Sequence, residues 1–211
     1  MLDFPIKLGV LFYQQGSQLD RSDREAAFKA LQDHLTQSGI VAETVQLPES
    51  LVRGSVNLEV LRNLGARFQT DVLVLVTGSH SFARARNQNL SFLDSFSDKA
   101  YFESEVQFEA IALDIYTGTF LTPFSVAIKG EPALLDRASA NYAEQTYQYQ
   151  KQVELQAWEA LQQEALARLQ TLKRNVEERL ANPPASPAPA ASPSSSAAPS
   201  ASPSAEANEE I

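Results

Sequence analysis

The stretch from Glu105 to Ile128, EVQFEAIALDIYTGTFLTPFSVAI, leaves its backbone fewer choices than any other part of the chain. Val106, Phe108, Ala110 and Ala112 alternate with Glu105, Gln107 and Glu109, the period-two signature of a strand with one buried face. From Ala110 to Ile115 both faces turn apolar, which predicts a deeper position in a sheet. Thr117-Gly118 supplies a two-residue loop in which Gly118 takes positive φ at little cost. That loop predicts Ile115 opposite Phe120 and Ile111 opposite Phe124. Pro123 has no N–H for a ladder, so the return strand is predicted at an edge or bulged. Asp114, a lone charge just ahead of the turn, is expected to accept from the turn amides or the Thr117 and Thr119 hydroxyls.

The preceding segments read as a layered unit that this hairpin completes. Lys7–Tyr13, KLGVLFY, is a short apolar strand, followed by a polar loop with Gly16 and Ser17. Ser22 and Glu25 fit a capping box for a helix running to about Ser38, with Phe28, Leu31 and Leu35 on one face and Gly39 as the stop. Ile40 to Leu47 is a second strand, ended by Pro48. Asn57 caps a second helix carrying Leu58, Leu61, Leu64 and Phe68. Gly65 inside that helix allows close packing at about 1 kcal/mol of propensity. Asp71–Val76, DVLVLV, suits a strand covered on both faces. The order strand–helix–strand–helix–strand predicts an α/β fold, a layered βαβαβ unit closed by the hairpin and followed by a long C-terminal helix. Residues 77–102 between them are read as a possible extension of the third strand to about Ala83 and then a long loop.

Three divisions follow: an α/β domain over 1–131, an amphipathic helix over 132–181 and a Pro/Ala/Ser-rich tail over 182–211. The helical stretch carries Leu155, Trp158, Leu161, Ala165, Leu169, Leu172 and Val176 as an apolar stripe, with a polar middle at Glu144–Gln152 that suggests a bend. One portion is expected to pack on the sheet and the rest to project; the sharper alternative pairs the stripe with a partner or a second copy. The tail holds seven of the 11 prolines and almost no large apolar side chain, so it is predicted disordered.

Composition excludes several kinds of chemistry. A net charge of -9 argues against nucleic-acid binding, which needs a basic footprint. With no cysteine, thiolate metal sites and cysteine nucleophiles are impossible. No stretch approaches the roughly 20 apolar residues of a membrane span. His34 and His80 are the only histidines, without HxxxH or HExxH spacing, so no metal site and no cofactor are expected. His34 reads as a surface residue. His80, between Ser79 and Ser81 with Asp94 and Asp98 downstream, lacks the spacing of a nucleophile elbow, so no catalytic residue is assigned. Gly16 and Ser17 precede a helix N-terminus, the right place for an anion or ligand loop, although one glycine falls short of a phosphate-binding fingerprint.

The succession NLEVLRNLGARFQTDVLVLV, a long loop and then FEAIALDIYTGTFL resembles a class of bacterial envelope lipoproteins, the rhombotarget type and, more distantly, the curli-secretion and penicillin-binding-protein-activator lipoproteins. The matching positions are Asp71-Val72 and Asp114 to Gly118. The resemblance implies a non-enzymatic, periplasm-facing α/β domain, held at the outer membrane through a lipidated cysteine that this sequence lacks. It carries no catalytic residues. The expectation is a binding or scaffolding protein of the cell envelope with protein partners, including a homo-oligomer formed through the long helix. The location is periplasmic or outer-membrane-associated if a signal precedes Met1, and cytoplasmic if Met1 is the true start. The alternative is a cytosolic small-ligand or nucleotide-binding module using the Gly16 loop.

Overall fold

The computed structural model describes residues 2–52, 57–85 and 98–181. Their order is β1 (Ile6–Gln15), α1 (Arg21–Gln37), β2 (Val41–Leu47), a 3-10 turn (Glu49–Leu51), α2 (Leu58–Arg67), β3 (Val72–Arg84), β4 (Lys99–Asp114), β5 (Phe124–Lys129), β6 (Ala133–Asp136) and α3 (Tyr142–Ala181). The fold is α/β: a βαβαβ unit, a completing hairpin and a long C-terminal helix. The sheet runs β2-β1-β3-β4-β5, and β6 joins the far end of β4. Its β2, β1 and β3 are parallel; β4, β5 and β6 add antiparallel pairs.

Strand alternation sorts the side chains into two layers. Val10, Val72, Val76, Val106, Phe108 and Ala110 face α1 and α3, forming the larger core. Leu11, Leu47, Leu73, Leu113 and Ile115 face α2, forming a smaller one. Trp158 of α3 stacks on Phe12 at 4.6 Å between ring centres and meets Phe108 edge-on at 5.7 Å. Each such pair adds roughly 0.5–1.5 kcal/mol beyond the area it buries. Val153, Ala157, Trp158, Leu161 and Leu169 are all buried, so α3 lies on the sheet over much of its length. Past Leu172 its residues are mostly exposed.

Several expectations need correction. Helix α1 is capped by Asp20, whose carboxylate accepts from the Asp23 amide at 2.8 Å, not by Ser22. Glu25, the other half of the expected capping box, is held at the surface by Arg21 at 2.8 Å. The third strand does extend as far as expected, β3 running to Arg84, but 99–102 belong to β4 rather than to a long loop: β3 and β4 pair continuously from Val72↔Asp114 to Arg84↔Phe102. Ala133–Asp136 forms β6 on Lys99–Phe102, so the helix begins at Tyr142 rather than near Pro132. It then runs without a bend through Glu144–Gln152, and the tail lies outside the described residues.

The hairpin register departs from the expected one, by two residues at Phe120 and by one at Phe124. Phe120 lies opposite Leu113, not Ile115, and Phe124 opposite Ala110, not Ile111. The cause is Asp114, whose Oδ1 accepts from the amides of Tyr116 at 2.9 Å and Thr117 at 3.1 Å. These bonds start the turn at Asp114, and the Gly118 amide closes onto the Asp114 carbonyl at 2.9 Å. Gly118 holds φ +70°, and the Thr117 hydroxyl accepts from the Thr119 amide at 3.3 Å. Released from the ladder, Ile115 turns under α2. A Cβ on Gly65 would lie 2.2 Å from Ile115 Cδ1, so only glycine admits this approach.

Candidate functional site

Glu154 sits in the apolar stripe of α3, between Val153 and Ala157, and is fully buried. Four groups donate to its carboxylate. Gln14 Nε2 at 2.8 Å and Ser17 Oγ at 2.6 Å reach Oε1; the Gln18 amide at 2.8 Å and His80 Nδ1 at 3.2 Å reach Oε2. Burial pushes this carboxyl up, but the bonds from His80, Ser17, Gln18 and Gln14 outweigh it and hold Glu154 below the ordinary carboxylate range. The acid is therefore ionised near neutral pH, although it lies in the core.

The loop after β1 is the one with the expected shape for binding an anion. Gly16 turns there at φ +72°, its Cα close to the His80 carbonyl, and frees Ser17 and Gln18 to point inward. The negative charge their donors meet is the protein's own Glu154. Ser17 is thus committed to the interior, and the loop is spliced to α3.

From His80 the network continues to β4. Its Nε2 lies 2.7 Å from Ser104 Oγ, so Ser104, His80 and Glu154 follow one another in the order of a hydrolytic triad. Access decides against that chemistry. Ser104 is fully buried, and its N–H donates to the Tyr149 hydroxyl at 3.2 Å, while that hydroxyl donates to the Glu131 carbonyl at 2.8 Å. A scissile carbonyl has no approach to Oγ, and the amide that could steady an oxyanion is engaged. The serines flanking His80 play no part, because alternation turns Ser79 and Ser81 to the opposite face. Asp94 lies outside the described residues. His80 instead joins β3, β4 and α3 into one polar clasp.

Neither Ser104 nor Glu154 was singled out from the sequence. Ser104 gave no signal, being one serine in an alternating strand. Glu154 did give one: an acid at a helix position whose neighbours three and four residues on are apolar. Asp71, at the start of the DVLVLV run, accepts from the Lys7 amide at 2.7 Å and the Tyr116 hydroxyl at 3.1 Å. Among the described residues no group of three or more His, Cys, Asp or Glu side chains is placed to hold a metal, and no helix is long and apolar enough to cross a membrane.

The second feature is a surface. Helix α2 packs over the end of that side of the sheet marked by Leu47, Leu11, Leu73 and Leu113, and among the described residues no element covers Glu105 to Glu109 of β4. Residues of β4 alternate strictly, with Val106, Phe108 and Ala110 buried and Glu105, Gln107 and Glu109 exposed. Tyr13, Thr77 and Ser79 continue the open face onto β1 and β3, lining a hollow with Gln107 and Glu109. Glu103 is paired with Lys129 at 2.6 Å, and Glu109 accepts from Gln107 at 3.0 Å. The face is polar and acidic.

Solved structures place this architecture among known folds. The chain is similar to a neuraminyllactose-binding hemagglutinin homolog from Helicobacter pylori, at 9% identity over 83% of this chain and 91% of that one, with a TM-score of 0.51. Fainter likenesses include a lipoprotein from Neisseria meningitidis (16% identity, 84% and 99% covered, TM-score 0.35) and the LpoB C-terminal domain from Salmonella enterica (11%, 59% and 82%, TM-score 0.33). At such identities the likeness concerns the fold alone, and the two fainter ones carry no argument. Bacterial lipoproteins are among the structures this chain is similar to, though not specifically the rhombotarget type. No protein-family model matches the sequence, and no curated protein matches it.

Proposed function

We propose that this chain is a non-enzymatic binding or scaffolding protein of the bacterial cell envelope, and that its open sheet face is where a protein partner docks. The observation that carries this is the strict alternation from Ser104 to Ala110 of β4, which buries one face under α3 and, among the described residues, leaves Glu105, Gln107 and Glu109 uncovered. A sheet face carrying Glu105 and Glu109 suits a partner that presents basic side chains. The fold it shares with a hemagglutinin homolog supports a binding role in outline. The enclosed Ser104 supports the non-enzymatic part. The apolar stripe of α3 is largely spent on this chain's own sheet, which favours the open face over helix pairing as the contact. In this reading a lipidated cysteine upstream of Met1 would hold the domain at the outer membrane.

The double variant Glu105→Lys/Glu109→Lys tests this, because both side chains point into water and the fold should survive. Recovery of the chain with solubilised envelope complexes should fall at least tenfold at low salt, while thermal stability stays within about 0.5 kcal/mol of the parent. Unchanged recovery would move the contact elsewhere.

A further inference from the structure

On the other side of the sheet, the larger core is not completely filled. A cavity of about 370 Å³ lies between the C-terminal half of α3, α1 and the sheet, lined by aliphatic side chains such as Leu35, Val76, Ala112, Leu121, Ala165 and Leu172. That volume falls at the lower end of the roughly 300–1,000 Å³ of small-molecule pockets, with room for one apolar chain. The cavity opens to solvent beside Phe120, which is 46% exposed, and the exposed α3 residues Arg168, Thr171, Asn175 and Arg179. Those four follow helical spacing, so they lie along one face of α3 over about 16 Å, with Arg179 at the C-terminal end.

Charge at this opening runs against the rest of the molecule. The chain has 26 acidic residues against 17 basic ones, yet among the described residues the charged ones lining the cavity are Arg168 and Arg179. Arg168 uses Nε on Glu164 at 2.7 Å, which leaves its terminal N–H groups directed elsewhere. Arg179 makes no ion pair among the described residues. An aliphatic interior beneath guanidinium groups is complementary to one class of ligand, a single hydrocarbon chain ending in an anion.

We propose that this cavity binds one long-chain fatty acid, its hydrocarbon between α3 and the sheet and its carboxylate at Arg179. The site lies across the sheet from the open face, so its failure and the failure of the docking proposal are separate results. The assignment commits to a free carboxylate with one chain; a two-chain phospholipid would need more space.

Calorimetric titration of the full chain with sodium alkanoates below their micellar concentrations tests the assignment. Tetradecanoate should bind saturably at one per chain, and affinity should rise about fourfold per added methylene from octanoate upward. Arg179→Glu, at an exposed position, should weaken tetradecanoate at least tenfold and leave tetradecanol unchanged. Ala165→Trp, which fills the space, should remove both ligands with the far-ultraviolet dichroism intact. Absence of saturable binding, or equal tetradecanoate affinity in the arginine variant, would overturn the proposal. So would binding that emerges only after residues 182–211 are deleted, since the chain's own tail would then be the occupant.

Discussion

A carboxylate placed in the apolar stripe of a helix costs several kcal/mol unless its lone pairs find donors, and Glu154 has found four. Glu154→Gln keeps the shape but sets an amide NH2 against groups that themselves donate. It should destabilise the protein by about 3 kcal/mol, read as a lower urea midpoint at pH 7. The pH dependence follows from the depressed carboxyl. Glu154 favours folding fully above its unfolded value of about 4.3, and that contribution disappears as pH falls through the lower folded value. The stability gap between parent and Glu154→Gln should therefore be flat above about pH 5 and narrow towards pH 3. A gap that widened in acid would contradict this reading of the network. Little of the clasp was legible beforehand. Gly16, Ser17 and His80 each drew notice for local reasons, but the acid that unites them lies 74 residues beyond His80. Local spacing carries no record of such a meeting; only the acid's misplacement in its stripe pointed to it.

At the level of elements, close approach governs the turn between β4 and β5. Gly65→Ala would press a methyl group on Ile115 and should cost about 2 kcal/mol as overpacking. In an Ile115→Ala background the same change should cost much less, since the clashing Cδ1 is gone; a double-mutant cycle by urea denaturation measures the difference. Additive costs would mean that α2 simply shifts. Helix and strand identities up to Val76 could be read because their apolar periods are long and both layers cover them. Residues 99–104 of β4 could not, because Ser104 and Glu103 interrupt any apolar period and nothing local announces the pairing of 102–104 with 82–84. The start of α3 was misplaced because Leu134 and Leu135 suit a helical stripe as well as a strand. Only the far end of β4, available for pairing, decides between them. The turn register was missed, by two residues beside the turn, because the Asp114 carboxylate captures two amides and lengthens the loop.

The whole molecule is a sheet with unequal sides. One side is closed by α1 and α3, locked by the Glu154 clasp and a triad of aromatic rings; on the other α2 packs at the Leu113 end, and among the described residues nothing covers Glu105 to Glu109. An acidic sheet face held by paired strands gives a partner a pre-organised target, with little ordering entropy to lose on contact. Such a face is visible only after folding, because exposed Glu and Gln in a strand look the same whether they meet water or a protein. The most direct measurement is site-specific photocrosslinking in intact cells, with the reactive residue at Gln107 on the open face or at Lys29 on the exposed side of α1. The account predicts a discrete covalent adduct with an envelope protein from Gln107, suppressed by Glu105→Lys/Glu109→Lys, and none from Lys29. No adduct from Gln107, or the same adducts from both positions, would contradict it.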